Sequence, residues 1–400
     1  MTADNFHPKN IAVAAVLVLG GIYTIDRIAH QPVDLTAATV EFNIAVDGPA
    51  EYEAHSSRCL DVDLTELPEC GFLHGNESMH FCKDVEKRHD SLVVDGCDWR
   101  KFTRKGALQI LSGKHLIMVG DSRVRYQYLS MAFWLENGYW PPDTYGEGDI
   151  KSPAKEGLWR DIGGWKQFFS DTNSYLNGEE ECDCFREDKW PIENIIFENR
   201  YLHMEKYNVK VTYLMHYKRN NWPNTSDIWG HHGFGPLACD DIEQCALGKC
   251  DAPVDWHYTY EEAMNGFFQK LGATDVFLSF GWEPELITSL TQTDSWRDAV
   301  GKATDDGINV YLMNAHSNKG GLKEIWASMS DELYAETQKM NHDNPIRGQI
   351  NLDYLKLTKN YADIEGWKPF WDKVHYDAWT LEDHTQYFLH NMEQVHKQRR

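Results

Sequence analysis

Four short stretches of the chain are apolar almost without interruption: 115–119 (HLIMV), 209–215 (VKVTYLM), 275–280 (DVFLSF) and 308–313 (INVYLM). A strand with one wet face alternates apolar and polar residues. A run that is apolar at nearly every position belongs to a strand covered on both faces. Segments of helical periodicity lie before and between these runs. Residues 103–111 carry Ala107, Leu108 and Leu111 on one side, and 122–136 carries Val124, Tyr128, Leu129, Ala132 and Leu135 at helical intervals. Residues 260–271 and 295–303 also read as helices. Strands alternating with helices predict an α/β fold with a mainly parallel sheet and helices on both faces.

Chemistry concentrates just after the first of these runs. The sequence Met118-Val119-Gly120-Asp121-Ser122-Arg123-Val124-Arg125 is a buried strand ending in Gly-Asp-Ser with a helix directly behind it. Open α/β sheets bind ligands beyond the carboxyl ends of their strands, and the Ser122 hydroxyl is expected there. The adjoining helix N-terminus supplies backbone N–H groups and the positive end of a dipole, suited to a developing oxyanion. Serine is also a good N-cap, so a purely structural Ser122 fits the same motif. Two other glycine-based readings fail. A G-x-S-x-G elbow needs glycine where Val124 stands, and a phosphate-binding loop needs its Gly-Lys after the strand, whereas Gly113-Lys114 precedes it.

A serine hydroxyl becomes a nucleophile only when an oriented base takes its proton. Asp372-Lys373-Val374-His375 supplies both groups. In a turn before a helix, the carboxylate three residues ahead can reach the imidazole Nδ1 and leave Nε2 facing the serine. One Asp-x-x-His among 18 histidines says little by itself; its pairing with Gly-Asp-Ser is far more specific.

Gly-Asp-Ser on the first buried strand together with Asp-x-x-His before the last helix resembles the GDSL/SGNH superfamily of acyl esterases and acyltransferases. The most similar branch is the PC-esterase proteins: the plant trichome-birefringence-like polysaccharide O-acetyltransferases and the catalytic domain of sialate O-acetyltransferases. The resemblance spans residues 59–398. It rests on Gly96-Cys97-Asp98-Trp99, on Gly113-Lys114-His115, and on Gly120-Asp121-Ser122-x-x-Arg125-x-Gln127-x-x-Ser130. The strand Val211-Thr212-Tyr213-Leu214-Met215 and Asp372-x-x-His375 with its following aromatic residue complete it.

The resemblance implies an SGNH-hydrolase-like three-layer α/β/α fold in which Ser122 carries the acyl group, His375 is the base and Asp372 orients it. It also implies that Arg125 contacts acyl or substrate oxygens; a solvated surface charge is the other reading of that residue. The third strand departs from the plant pattern, Asn-Thr-Gly, and ends Ser279-Phe280-Gly281-Trp282-Glu283. Gly281 is then the expected second oxyanion donor, and Ser279 stands where the amide side chain would be. Trp282 is either a sugar-stacking wall or a core residue. Asn314 and His316, after the fourth strand, are further substrate-binding candidates.

The apolar run at 11–25 (IAVAAVLVLGGIYTI) makes residues 1–30 an anchor or signal segment. At about 1.5 Å per residue it spans a little over ~22 Å, short for a hydrocarbon core of about 30 Å. A signal-anchor predicts a type II single-pass protein with its bulk in the Golgi or secretory-pathway lumen; cleavage predicts a secreted one. Residues 31–58 read as an Ala-rich, acidic stem. Residues 59–400 read as the catalytic domain, with a cysteine-bearing lead-in at 59–98 and a Gly-, Asp- and Trp-rich insertion near 141–190. Nine cysteines outside the cytosol read as disulfides with one left over. Zinc held by Cys239, Cys245 and Cys250 near His231 and His232 is the rival, against which the spacing lacks paired C-x₂-C steps. Asn76-Glu77-Ser78 and Asn224-Thr225-Ser226 match the glycosylation pattern.

Lys and Arg total 39 against 62 Asp and Glu, a net charge of −23, which repels phosphate backbones and argues against a nucleic-acid partner. The expected activity is O-acetyl transfer onto glycan hydroxyls through an acyl-serine, with no metal or cofactor beyond an acyl donor. So acidic a domain is poorly suited to binding an anionic donor such as acetyl-CoA directly, and delivery by a membrane partner is expected. Hydrolysis of a carbohydrate O-acetyl ester and glycan binding without turnover are the alternatives. The tryptophans, 15 in all, motivate the last.

Overall fold

In the computed structural model the four apolar runs form the centre of a seven-stranded sheet. The structure describes residues 50–52, 68, 70–71, 79–83, 90–94, 96–140, 180–184, 199–215, 234–236, 256–258, 260–280, 291–314, 317–319, 325–327, 331–359, 376 and 378–399. The chain divides into two units, Met1–Asn43 and Ile44–Arg400, and every described residue lies in the second. The apolar run at 11–25, both glycosylation motifs, the His231–Cys250 cluster and the expected insertion apart from its strand at 180–184 lie outside the described residues.

In chain order, a hairpin of β1 (Met79–Lys83) and β2 (Asp90–Val94) leads to α1 (Arg104–Leu111), β3 (Lys114–Gly120) and α2 (Ser122–Asn137). Next come β4 (Glu180–Cys184), β5 (Asn199–Met204), β6 (Val209–Met215) and the small pair β7 (Phe234–Pro236) and β8 (Trp256–Tyr258). Helix α3 joins the α-turns Tyr260–Glu262 and Phe268–Lys270 through a π-turn at Ala263–Phe267. Then follow β9 (Asp275–Ser279), α4 (Asp294–Asp305), β10 (Asn309–Met313) and the ribbon of β11 (Ser317–Lys319) and β12 (Ile325–Ala327). Finally come α5 (Asp331–Asp343), β13 (Gln349–Leu352), α6 (Tyr354–Lys359) and α7 (Ala378–Arg399).

The sheet runs β13-β10-β9-β3-β6-β5-β4, and its five strands from β13 to β6 are parallel. β5 turns back antiparallel to β6, and β4 pairs antiparallel with β5. After β3 the chain adds β6 on one side, then crosses to the other for β9, β10 and β13. The direction of winding therefore reverses between β3 and β9. In doubly wound sheets such a reversal opens a crevice at the carboxyl ends of the two strands. Here those ends are Gly120 and Ser279.

Successive side chains of a strand face opposite ways, and the core divides accordingly. Leu116, Met118, Val211, Tyr213, Phe277, Tyr311 and Met313 share one hydrophobic cluster with residues of α1, α2 and α7. Ile117, Val119, Leu214, Val276, Leu278, Val310 and Leu312 share the other with α3 and α4. These strands are covered on both sides, which is why their sequences lack alternation. Helix α2 is enclosed rather than half exposed: every residue from Ser122 to Leu135 is buried.

Helix α7 is fixed along its length. Lys101 Nζ contacts Glu382 and Asp383 at 2.7 and 2.8 Å. The Gln386 side chain accepts from Phe102 N (2.8 Å) and donates to Phe102 O (3.2 Å). Tyr52 donates to the Glu393 carboxylate, and His396 Nε2 meets Asp275 Oδ1 at 3.2 Å. Residues 50–52, within the expected stem, thus pack onto α1 and α7; Thr103 N and Oγ1 both donate to Glu51 O. In the lead-in, one disulfide joins Cys70 to Cys97 among the described residues. No helix among those residues is long and apolar enough to cross a membrane.

Two buried imidazoles make this fold acid-sensitive. His115 lies between Leu271 O (2.9 Å from Nδ1) and Thr212 Oγ1 (2.7 Å from Nε2). A carbonyl only accepts, so Nδ1 carries the hydrogen and Nε2 receives the Thr212 hydroxyl. Burial pushes His115 down to about 4, and burial likewise pushes His384 on α7 down to about 3. An unfolded imidazole titrates near ~6.5, so below that pH the unfolded chain takes up protons that the folded one refuses. These contributions to stability are therefore full above about pH 6.5 and decline on acidification, by up to about 1.4 kcal/mol per pH unit for each residue. Urea unfolding followed from neutral to mildly acid pH is expected to show this loss, with a shallower slope in His384→Phe.

Candidate active site

Three consecutive residues build the junction of β3 and α2. Gly120 ends the strand where nothing larger fits: a Cβ there would lie 2.5 Å from Val124 Cγ2 and 3.2 Å from Ser279 Cβ. The absence of a side chain lets the strand end, the first turn of α2 and the end of β9 close on one another. Asp121 is extended and is the N-cap of α2, its side chain accepting from Arg123 N at 2.9 Å. Its second oxygen accepts from Arg123 Nε and Nη2 at 3.1 and 2.8 Å. Both side chains are buried, so carboxylate and guanidinium form an ion pair inside the protein. The Tyr213 hydroxyl on β6 reaches the carbonyls of Gly120 and Asp121 at 3.1 and 3.2 Å and fixes the turn from its other side.

Ser122 is therefore the first residue of the helix and not its cap. It is only 7% exposed and sits at the carboxyl edge, where the winding reverses. Ser279 ends β9 opposite Gly120; it is buried, and its carbonyl accepts the Tyr260 hydroxyl at 3.2 Å. Arg125 comes about one turn after Ser122 and is fully buried, its guanidinium 4.9 Å from the centre of the Tyr126 ring. A solvated surface position does not describe it. The structure thus brings Ser122, Ser279 and the helix bearing Arg125 to one junction.

Asn314 stands apart, at the end of β10. Its Nδ2 donates to Asp353 Oδ1 at 2.7 Å, and its Oδ1 accepts from Leu355 N at 3.4 Å. Asp353, just past β13, also accepts from Gln338 Nε2 (2.9 Å) and the Tyr334 hydroxyl. This side chain ties two strand ends together at the same edge of the sheet. Gly281, Trp282, His316, Asp372 and His375 lie outside the described residues. Tyr376, the residue directly after His375, is described and is buried. Among the described residues no group of three or more His, Cys, Asp or Glu side chains is arranged to hold a metal.

Several residues that shape the junction carried no local signal. Asp121 reads as part of the Gly-Asp-Ser motif, yet its N-cap role and its pairing with Arg123 emerge only from the three-dimensional turn. Tyr213 looks like one more apolar strand residue. Tyr354 and His384 belong to no motif, although Gln127 Nε2 donates to Tyr354 Oη at 3.0 Å and so ties α2 to α6. Compared with protein-family models and with curated proteins, the chain matches none.

Proposed function

We propose that the protein is a serine-dependent O-acyltransferase that moves an acyl group, acetyl in the simplest case, onto a glycan hydroxyl. The observation that carries this reading is the position of Ser122. Its hydroxyl belongs to the first residue of a helix at the reversal point of a parallel sheet, and the cap role that would otherwise explain a serine there is filled by Asp121. The resemblance in sequence supplies the partners, His375 as base and Asp372 as its orienting group. It also supplies the finer fold assignment, an SGNH-hydrolase-like arrangement.

In this reading His375 Nε2 removes the Ser122 proton as Oγ attacks the donor's acyl carbon. The new C–O bond forms, the carbonyl oxygen becomes an oxyanion, and the orphan N–H groups of a helix start are suited to hold it. Collapse breaks the bond to the leaving group, which takes the proton from His375. A sugar hydroxyl then repeats the sequence in reverse roles: its proton goes to His375, its oxygen attacks the acyl-serine, and Ser122 is released with its proton restored. Each half-reaction is balanced without a redox partner. Water in place of the sugar gives the esterase.

Mass spectrometry of the protein mixed with candidate acyl donors tests this. The expected result is one added acyl group on the peptide containing Ser122, discharged when an acceptor sugar is supplied. A protein that binds sugars but is never acylated, and is not labelled on Ser122 by a fluorophosphonate, is a lectin-like protein and not a transferase.

A further inference from the structure

The imidazole of His384 is buried on α7 against two tyrosine rings, that of Tyr354 (centroids 4.6 Å apart, planes at 71°) and that of Tyr376 (4.7 Å, 78°). Both contacts are edge-to-face, the arrangement that aromatic quadrupoles favour. Tyr354 Oη donates to His384 O at 3.0 Å and accepts from Gln127 Nε2, so the same tyrosine links α7 to α2. His384 Nε2, by contrast, has no hydrogen-bond partner among the described residues. Among the described residues, ring packing and not a hydrogen bond at Nε2 holds the imidazole. The charged groups nearest along α7, Glu382 and Asp383, are engaged by Lys101.

Tyr376 is the residue directly after His375, and consecutive Cα atoms are only about 3.8 Å apart. Whatever fixes Tyr376 limits where His375 can be. We propose that His384 is a positioning residue of the acyl-transfer site: packed edge to face with both Tyr354 and Tyr376, it ties the chain at residue 376 to the helix that begins with Ser122. The inference rests on the reading of His375 as the base. The path is continuous, from Ser122 along α2 to Gln127, across to Tyr354, and through the His384 ring to Tyr376. Burial keeps the ring neutral, which suits a side chain that packs against two aromatic neighbours.

The test follows the inactivation of the whole protein by a fluorophosphonate and separates its maximal rate, kinact, from its half-saturating concentration, KI. Measurements are made well below each variant's melting temperature. A displacement of about 1 Å at a catalytic group can cost about 10²-fold. His384→Ala is expected to lower kinact by roughly that factor with KI unchanged, and His384→Phe, which restores a ring without nitrogens, to recover most of it. Should the alanine variant fail to fold, Tyr376→Leu removes the aromatic contact from the other partner and is expected to give the same loss. A folded His384→Ala, or in its place Tyr376→Leu, with wild-type kinact overturns the proposal, as does a phenylalanine variant that recovers nothing. His375→Ala, run in parallel, separates the two claims. If it is inert while His384→Ala reacts normally, the base stands and the positioning role falls; if it reacts normally, the base reading itself falls.

Discussion

Ser122→Ala is expected to abolish acyl transfer while leaving the protein nearly as stable as before. Where a serine works as one member of a coupled triad, its removal costs on the order of 10⁶-fold in turnover. Stability should scarcely follow, because the capping of α2 does not depend on this side chain: Asp121 accepts from Arg123 N, and the intrahelical bonds begin with Arg125 N to Asp121 O at 3.0 Å. The loss of one hydroxyl costs at most about 1.5 kcal/mol, the value of a single hydrogen bond. Hydrolysis of a chromogenic acetate ester, measured beside a thermal melt, distinguishes the two effects. Retained turnover in a well-folded Ser122→Ala protein would remove the nucleophile from the scheme.

The largest loss of stability is expected from the neighbouring residue. Asp121→Ala removes the cap of α2 and leaves the Arg123 guanidinium inside the protein without the carboxylate that it meets at 2.8 Å. Breaking a buried ion pair from one side costs about 3–5 kcal/mol, because the remaining charge is still desolvated. Loss of an N-cap by itself accounts for only about 1 kcal/mol. A double variant, Asp121→Ser with Arg123→Met, keeps a capping side chain and removes both charges, and it should be markedly less damaged than Asp121→Ala. Urea midpoints of the three proteins decide the matter. If the double variant is weaker than Asp121→Ala, the unpaired Arg123 charge is not the cause of the loss.

The strands that could be read from sequence are those buried on both faces. HLIMV, VKVTYLM, DVFLSF and INVYLM fall within one or two residues of β3, β6, β9 and β10, because nothing but a covered strand explains runs so uniformly apolar. The fifth parallel strand escaped notice. β13 is QINL, four residues at the sheet edge with three of them half exposed, too short and too polar for any period to register. β5, with Asn199, Arg200 and His203 among its six residues, was hidden in the same way.

Helix α2 gave its length but not its setting. Its apolar positions suggest one covered side, yet Arg123, Arg125, Gln127 and Ser130 are all enclosed as well. A long polar side chain does not announce whether partners await it inside. At the site, the Gly-Asp-Ser turn was legible because strand end, cap and helix start are consecutive in the chain. The contact of Gln127 with Tyr354, 227 residues away, was not, because only folding brings those two together.

The fastenings along α7 have a consequence for what the chain can tolerate. Glu382 and Asp383, Gln386, Glu393 and His396 meet partners from three separate parts of the sequence, and together they set the rotational phase of the helix as well as its place. Each residue of an α-helix turns the chain by about 100°. Inserting or deleting a single residue in its first turns would therefore leave the distal fastenings engaged yet swing the start of the helix, and the segment entering it, to a different azimuth. In α7, length is a coded quantity in the same sense as side-chain identity, and drift by one position is worse than most substitutions.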